Sequence, residues 1–192
     1  MIILASNSPR RRELLAGLDL DFRVMVVPGI DESYPSTLPS TEVAEYIAQK
    51  KAAAYEAFFA DGSFQSDDIV LTADTVVILE GEVMGKPHSE EEACQMLRRL
   101  SGKTHKVITG VCLLAFGGRK EHFSVTTDVT FANLTDEQID YYVTHYHPLD
   151  KAGAYGIQEW IGYVGVSCLH GSYFNVMGLP VQRISETLLH FQ

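Results

Sequence analysis

The fold is set by the stretch Ile2-Ile3-Leu4-Ala5-Ser6-Asn7-Ser8-Pro9-Arg10-Arg11-Arg12-Glu13-Leu14-Leu15. Its first four residues form an apolar run of strand length. Ser8 is a favourable N-cap, and Pro9 suits the first helical position because its missing N–H would be unpaired there. The stretch therefore predicts a strand, a short polar turn and a helix.

Three arginines, Arg10, Arg11 and Arg12, fall in the first turn of this helix. The helix dipole places partial positive charge there, so each cation costs about 0.3–1 kcal/mol. Free backbone N–H groups, serines and guanidinium groups together favour the binding of phosphate. The alternative is that the arginines form a solvated surface run, and this stretch alone does not choose between the two.

The composition is that of a single globular domain spanning residues 1–192, with room for two lobes. The net charge of −10 disfavours an extended nucleic-acid-binding surface. An acidic protein that binds phosphate has to do so with a few local cations, often together with a metal ion.

The chain shows no targeting or membrane pattern. The first apolar run is too short for a signal peptide and is followed by arginines, and no stretch approaches the ~18 apolar residues of a membrane span. Cys94, Cys112 and Cys168 are odd in number and have no paired spacing. They are best explained as buried, reduced thiols of a cytoplasmic protein, and a catalytic cysteine is disfavoured.

A second strand is predicted over residues 22–27 and a long helix from Ser40 or Thr41 to about Phe59. Lys50 and Lys51 fall on or beside the apolar face of that helix. Either their aliphatic stems run along apolar surface to water, or one of them reaches a buried anion. The spacing alone does not decide which.

The most apolar run covers residues 69–79 and predicts an interior strand. Asp74 lies inside it, so its carboxylate needs hydrogen bonds, a cation or a raised pKa. Further along, Lys86 precedes a proline and is therefore presented on a stiff, extended backbone.

The remaining pattern alternates helices and strands. Capping boxes begin helices after Ser89 and Thr135, a hairpin turns at residues 117–118, a strand covers residues 160–169, and a closing helix starts at Pro180. Together these elements predict an α/β fold with a mixed, twisted sheet flanked by helices.

The charged residues suggest phosphate chemistry. The candidate phosphate-binding cations are Arg10, Arg11, Lys51 and Lys86. Glu32 and Asp74 supply carboxylate oxygens of the kind that Mg²⁺ and Mn²⁺ prefer, and a metal-bound or carboxylate-oriented water can attack phosphorus. The glycine-rich Walker loop is absent, which disfavours a P-loop ATPase. The scattered histidines disfavour a zinc site, although His105 follows a helix end and could touch a ligand.

Six blocks occur in order along the chain: Ala5-Ser6-x-Ser8-Pro9-Arg10-Arg11 with Glu13-Leu14-Leu15, Ala73-Asp74-Thr75, Gly85-Lys86-Pro87, Ser101-Gly102-x-x-His105-x-Val107-x-Thr109, Asp150-Lys151-Ala152-Gly153-Ala154-Tyr155-Gly156-Ile157-Gln158 and Met177-Gly178-Leu179-Pro180. They resemble the Maf family of nucleoside triphosphate pyrophosphatases over essentially the whole chain. The resemblance implies a Maf/ITPase-like mixed sheet with two lobes around a central cleft.

The resemblance implies hydrolysis of a nucleoside triphosphate to the monophosphate and pyrophosphate with a divalent metal, Mg²⁺ or Mn²⁺. By the same resemblance, Asp74 is the general base, and Glu32 and Asp74 hold the metal or its water. The residues implied to bind substrate phosphates or line their loop are Ser6, Arg11, Lys51 and Lys86. The partner is then a small nucleotide, with no nucleic acid and no membrane, and a homodimer is compatible with the family.

Three positions separate the family's substrate groups, and Arg10, Thr75 and Gln158 match the group acting on dTTP and UTP rather than the one acting on 7-methyl-GTP. Glu159 follows Gln158 where glycine is common in the family. The alternative function is a nucleotide-sensing regulator of cell division in which hydrolysis is incidental.

Overall fold

The computed structural model describes residues 1–191, which contain seven strands and eight α-helices. In chain order these are β1 (Ile2–Leu4), α1 (Pro9–Ala16), β2 (Phe22–Val24), α2 (Val43–Ala53), α3 (Glu56–Ala60), β3 (Ile69–Leu79), β4 (Glu82–Met84), α4 (Glu90–Leu100), β5 (Thr104–Leu114), β6 (Lys120–Phe131), α5 (Asp136–Tyr146), α6 (Trp160–Gly165), β7 (Val166–His170), α7 (Tyr173–Met177) and α8 (Val181–His190).

The strands form one sheet in the order β2-β1-β3-β5-β6-β7, and β4 pairs with β3 outside this path. Strand β1 runs parallel to both of its neighbours, with Ile3 opposite Arg23 and Val70. Strand β4 is antiparallel to β3, and β7 is antiparallel to β6. The predicted mixed α/β fold is confirmed. None of the helices within residues 1–191 has the length and apolar character that a bilayer crossing requires.

The chain divides into two compact units, each made of several segments. Unit 1 comprises residues 1–74, residues 109–125 and the segment beginning at Gly178, and unit 2 comprises residues 75–108 and 126–177. One core of unit 1 lies around β1, α2 and β3. Its buried residues are Ile3, Ala48, Ala52, Tyr55, Phe59, Phe64, Val70, Cys112 and Leu114.

The opening of the chain folds as its sequence predicts. Strand β1 ends at Leu4, and Pro9 occupies the first position of α1. The Ser8 hydroxyl accepts a hydrogen bond of 3.4 Å from the Arg11 N–H, which confirms Ser8 as the N-cap. Leu14 and Leu15 are buried and attach the helix to unit 1.

The single long helix predicted from Ser40 or Thr41 to about Phe59 is wrong. A 3₁₀ turn over Ser40–Glu42 precedes α2, and two residues separate the end of α2 at Ala53 from the start of α3 at Glu56. Tyr55 lies at the break and is 1% exposed. Its hydroxyl donates to the Met25 carbonyl and accepts from the Val27 N–H, each at 3.0 Å. The buried and hydrogen-bonded Tyr55 side chain therefore lies at the point where the helix is interrupted.

Unit 2 has its own core between α4, α5 and the strands it contains. Thr135 and Gln138 form the predicted reciprocal capping box. At Ser89 only half of the predicted box forms: its hydroxyl caps the Glu92 N–H, but the Glu92 carboxylate accepts from the His88 N–H instead. Helix α4 therefore still has a capped N-terminus, because the Ser89 hydroxyl and the Glu92 carboxylate each accept a hydrogen bond from a backbone N–H.

The strand predicted over residues 160–169 is wrong in its first half, which forms α6, while β7 begins at Val166. Within α6, Gly162 lies so close to the Ile157 carbonyl that a Cβ there would overlap it. The prediction of buried cysteines is correct for Cys112, but Cys94 is half-buried and Cys168 is exposed. Cys168 lies on β7, which is an edge strand of the sheet.

Candidate active site

The turn between β1 and α1 is fixed by its serines. Ser6 is 7% exposed, and its hydroxyl accepts a 3.2 Å hydrogen bond from the Ser8 N–H. The Ser8 hydroxyl caps α1 in turn. The two hydroxyls therefore shape a tight polar turn at a helix N-terminus, which is the kind of backbone that binds anions.

Arg11 projects from the first turn of α1 and is anchored by two carbonyls. Its Nε donates to the Gly178 carbonyl at 2.8 Å and its Nη1 to the Ala73 carbonyl at 2.9 Å. Burial lowers the pKa of Arg11, while the Asp74 and Glu32 carboxylates act in the opposite direction. Arginine nevertheless stays protonated in proteins, so Arg11 places a fixed positive charge beside both carboxylates.

Two residues without any functional signal in the sequence, Thr72 and Gly110, seat helix α2 on the sheet. Gly110 on β5 faces the α2 backbone at Ala44, where any Cβ would overlap main-chain atoms. Thr72 on β3 is fully buried, and its hydroxyl donates to the Ala48 carbonyl at 2.7 Å. Since side chains two apart share a face of a strand, the contact at Thr72 brings Asp74 alongside the next part of α2.

Lys51 is the residue that α2 brings to Asp74. Its Nζ lies 2.8 Å from Asp74 Oδ1 and 3.0 Å from Glu32 Oε1. The Lys51 and Asp74 side chains are each 14% exposed, and that of Glu32 is 54% exposed. Of the two lysines that periodicity left equivalent, Lys51 is the one that reaches a largely buried anion.

Lys50, its neighbour, holds the turn that carries Glu32. Its Nζ lies 2.7 Å from Asp31 Oδ2 and donates to the Ser33 carbonyl at 2.9 Å. The Asp31 carboxylate also accepts from the Ser33 N–H and hydroxyl. The Lys50 and Ser33 donors hold the pKa of Asp31 well below its usual value. Sequence reasoning missed this support, because nothing in the spacing ties residues 31–33 to α2.

The acidic pair fits a divalent cation. Asp74 Oδ1 and Glu32 Oε1 both contact one ammonium, so the two carboxylates face a common point. Mg²⁺ is commonly held by one or two carboxylates and completed by water and substrate phosphates. Within residues 1–191 no group of three or more histidine, cysteine, aspartate or glutamate side chains is arranged to hold a metal. A cation bound at Glu32 and Asp74 would therefore take its other ligands from water or a phosphate.

The other predicted residues are distributed between the units. Arg10 is half-buried in the first turn of α1, in unit 1. In unit 2, Thr75 is half-buried on β3, and Lys86 is exposed after β4. Gln158 in unit 2 is half-buried, but its Oε1 is buried and has no hydrogen-bond partner among residues 1–191. The roles assigned to these four residues stay predictions.

His105 does not have the ligand-facing position predicted for it. It lies on β5 and is 2% exposed, with its ring edge-on to Phe131 and Tyr155. Its Nε2 shares a 2.7 Å hydrogen bond with the Tyr155 hydroxyl. Burial lowers the pKa of His105 to about 4, so the ring is neutral near pH 7 and belongs to the core of unit 2.

A family model described as Maf-like protein matches residues 1–191. The chain belongs to the Maf family. Among its relatives, a Phocaeicola vulgatus protein named dTTP/UTP pyrophosphatase is 60% identical over 187 residues, covering 97% of this chain and 94% of the relative. A Parabacteroides distasonis protein of the same name is 54% identical over 190 residues, covering 99% and 95%. A Porphyromonas gingivalis protein of that name is 50% identical, covering 99% and 94%.

Two solved structures share the fold of this Maf-family chain. The Ham1 protein of Staphylococcus aureus superposes with a TM-score of 0.56 at 16% identity, covering all of this chain and 99% of that one. A HAM1 protein from Coxiella burnetii gives a TM-score of 0.50 at 17% identity, covering 98% of each chain. At these identities the likeness concerns the fold alone.

Proposed function

We propose that this Maf-family protein is a metal-dependent pyrophosphatase that converts dTTP and UTP to the nucleoside monophosphate and pyrophosphate. The observation that carries the proposal is the placement of Lys51 between Glu32 and Asp74, two carboxylates that also act on the buried Arg11 guanidinium. Two carboxylates and two cations in one cluster combine a water-activating group with charges that match a polyphosphate. Relatives of 50–60% identity that span the whole chain carry this activity in their names.

In the proposed reaction Asp74 accepts a proton from the attacking water. General-base catalysis of this kind contributes roughly 10²–10⁴-fold to a rate. Lys51 holds the Asp74 carboxylate in place at 2.8 Å and contacts Glu32 at 3.0 Å at the same time. Arg11, anchored by the carbonyls of Ala73 and Gly178, supplies positive charge that does not need to reorganise during the reaction.

Glu32 and Asp74 are the residues that would hold the divalent cation. When bound, such a cation withdraws charge from phosphate oxygens and lowers the pKa of a bound water. Ser6 and the N-terminus of α1 would receive phosphate oxygens. The assignment of Lys86 to the substrate phosphates rests on the family resemblance. These assignments follow from the family resemblance and from the donor types present.

The preference for uracil and thymine is supported by the chemistry of Gln158. Its buried Oε1 is an acceptor without a partner among the described residues, and such an atom favours a ligand that brings a donor. Uracil and thymine carry an N3–H donor between two carbonyl acceptors, which matches the acceptor and donor of a glutamine amide. Cytosine has an acceptor at N3 and its donor at N4, so a Gln158 Oε1 that is held opposite position 3 meets a donor on uracil or thymine but not on cytosine.

The test is a substrate screen with purified protein and Mg²⁺ or Mn²⁺, in which pyrophosphate and orthophosphate are measured separately. The panel contains UTP, dTTP, CTP, GTP, ATP and 7-methyl-GTP. The proposal predicts equimolar monophosphate and pyrophosphate from UTP and dTTP. Release of orthophosphate instead would place the cleavage at another bond, and tight UTP binding without turnover would favour the nucleotide-sensing alternative.

A further inference from the structure

The segment of unit 2 that carries Gln158, residues 151–159, is held by a buried ion pair between Lys151 and Glu159. Lys151 Nζ lies 2.7 Å from Asp150 Oδ1 and 3.1 Å from Glu159 Oε1. The Lys151 side chain is 9% exposed and that of Glu159 is 20% exposed. An ion pair so far removed from water is costly to leave half-formed, so the two ends of the segment 151–159 are tied together.

Tyr142 on α5 holds the second oxygen of the same carboxylate. Its hydroxyl donates to Glu159 Oε2 and accepts a 3.0 Å hydrogen bond from the Gly156 N–H. The ring is fully buried. Burial and the Glu159 carboxylate raise the pKa of Tyr142, so the phenol keeps its proton and remains a donor near pH 7. Glu159 is therefore fixed at both oxygens, one by Lys151 and one by Tyr142.

Gly156 couples this network to Gln158. A Cβ on residue 156 would lie 2.9 Å from Glu159 Cδ and 3.1 Å from Gln158 Nε2. Both side chains therefore fold back against the bare backbone of Gly156, whose N–H is bound by Tyr142. The position of the Gln158 amide depends on this packing.

We infer that Tyr142, Glu159 and Lys151 are positioning residues that set where Gln158 presents its amide, and thereby help to select uracil and thymine over cytosine. The inference rests on the proposed function, because it takes Gln158 to face the nucleobase. A recognition group performs best when a second layer of side chains fixes it, and this network provides that layer at three points.

The experiment compares the dissociation constants of the non-hydrolysable α,β-imido analogues of UTP and CTP by titration calorimetry with Mg²⁺. The variants are Tyr142→Phe, which removes one hydroxyl, and Gly156→Ala, which keeps every polar group but displaces both side chains. The matched control is Tyr141→Phe, since Tyr141 is the adjacent residue on α5 and is 44% exposed. Loss of one well-placed hydrogen bond lowers an equilibrium preference by up to about tenfold.

The inference predicts that the UTP-over-CTP preference falls by about tenfold in Tyr142→Phe and Gly156→Ala but stays within about twofold of wild type in Tyr141→Phe. A folded Tyr142→Phe protein with the wild-type preference overturns it, as does an equal loss in the control. If Tyr142→Phe does not fold, Gly156→Ala decides by the same criterion.

The binding assay also separates this inference from the proposed activity. Wild-type protein that prefers the UTP analogue but releases no pyrophosphate refutes the activity, and the variants still decide the inference. Wild-type protein that binds both analogues equally overturns the inference itself.

Discussion

Replacing Lys51 by methionine removes the ammonium that touches both carboxylates of the cluster while keeping a similar aliphatic stem. Asp74, whose side chain is 14% exposed, then loses its contact at 2.8 Å, and Glu32 loses its contact at 3.0 Å. Breaking an exposed ion pair costs at most about 1 kcal/mol, whereas breaking a buried one costs about 3–5 kcal/mol. Because this pair is mostly shielded from water, we expect a loss of unfolding free energy of about 2 kcal/mol.

The loss of activity should be larger than the loss of stability. Removing one fixed charge or donor at a developing negative charge typically lowers turnover by about 10²–10³-fold. We therefore expect Lys51→Met to reduce pyrophosphate release from UTP by that factor at saturating Mg²⁺, with circular dichroism unchanged at 25 °C or so.

The neighbouring residue provides the matched control. Lys50 is the preceding residue on α2 and pairs with the exposed Asp31 rather than with Asp74. Lys50→Met should lower activity by less than about fivefold, because exposed ion pairs contribute little and the hydrogen bonds from Ser33 to Asp31 still shape the turn that carries Glu32. Equal effects of the two substitutions, or a Lys51→Met enzyme within about threefold of wild type, would refute the reasoning from the Glu32–Lys51–Asp74 cluster.

Three further expectations follow from the described contacts. Burial lowers the pKa of His105 from 6.5 to about 4. Between these two pH values the unfolded chain binds a proton at His105 and the folded chain does not, so the free energy of unfolding falls as the pH drops from about 6.5 to about 4. Urea unfolding gives the free energy of unfolding at about pH 7 and about pH 5. The decrease between the two should be about 2 kcal/mol smaller in His105→Gln than in wild type, and an identical decrease contradicts the assignment. Gly110→Ala should destabilise the protein by about 3 kcal/mol in the same assay, because its Cβ would overlap the α2 backbone. Gly85→Ala serves as the control for a glycine exchange, because nothing lies near a Cβ there and its backbone is not left-handed. Excess EDTA should stop pyrophosphate release and added Mg²⁺ or Mn²⁺ should restore it, and turnover that persists after metal removal would argue against a metal-assisted reaction.

The sequence was most informative where local chemistry dominates. The Ser8 cap and Pro9 at the helix start are local signals, and both were placed correctly, as was the interior strand from Ile69 to Leu79. The capping box at Thr135 depends on residues three apart and was also predictable. Such features need only the neighbouring residues to satisfy their hydrogen bonds.

It was least informative where distant side chains override the local pattern. The interruption between α2 and α3 involves Tyr55, whose hydroxyl bonds backbone groups about thirty positions away, at Met25 and Val27. The first half of the strand predicted over residues 160–169 became α6, in which Gly162 closely approaches the Ile157 carbonyl. Neither contact has a signature in hydrophobic periodicity.

The candidate site shows the same division. Motif resemblance selected Lys51 where helical periodicity left it equivalent to Lys50, and the structure places its ammonium at Asp74. The seating of α2 by Thr72 and Gly110 could not be read from the sequence, because it depends on which strand faces that helix. The sequence therefore predicted which residues form the Glu32–Lys51–Asp74 cluster but not the contacts that seat α2 beside it.

The central claim is that Asp74 activates water for attack on a nucleotide phosphate. The most direct measurement is steady-state pyrophosphate release from UTP by Asp74→Asn, which keeps the size of the side chain but removes its basic oxygen. Asp61→Asn, a change at an exposed carboxylate of unit 1 that bonds only locally to Ser63 in the described contacts, is the control. The account predicts a fall in turnover of about 10²-fold or more for Asp74→Asn and wild-type turnover for Asp61→Asn. An Asp74→Asn protein that retains turnover within about threefold of wild type would contradict it.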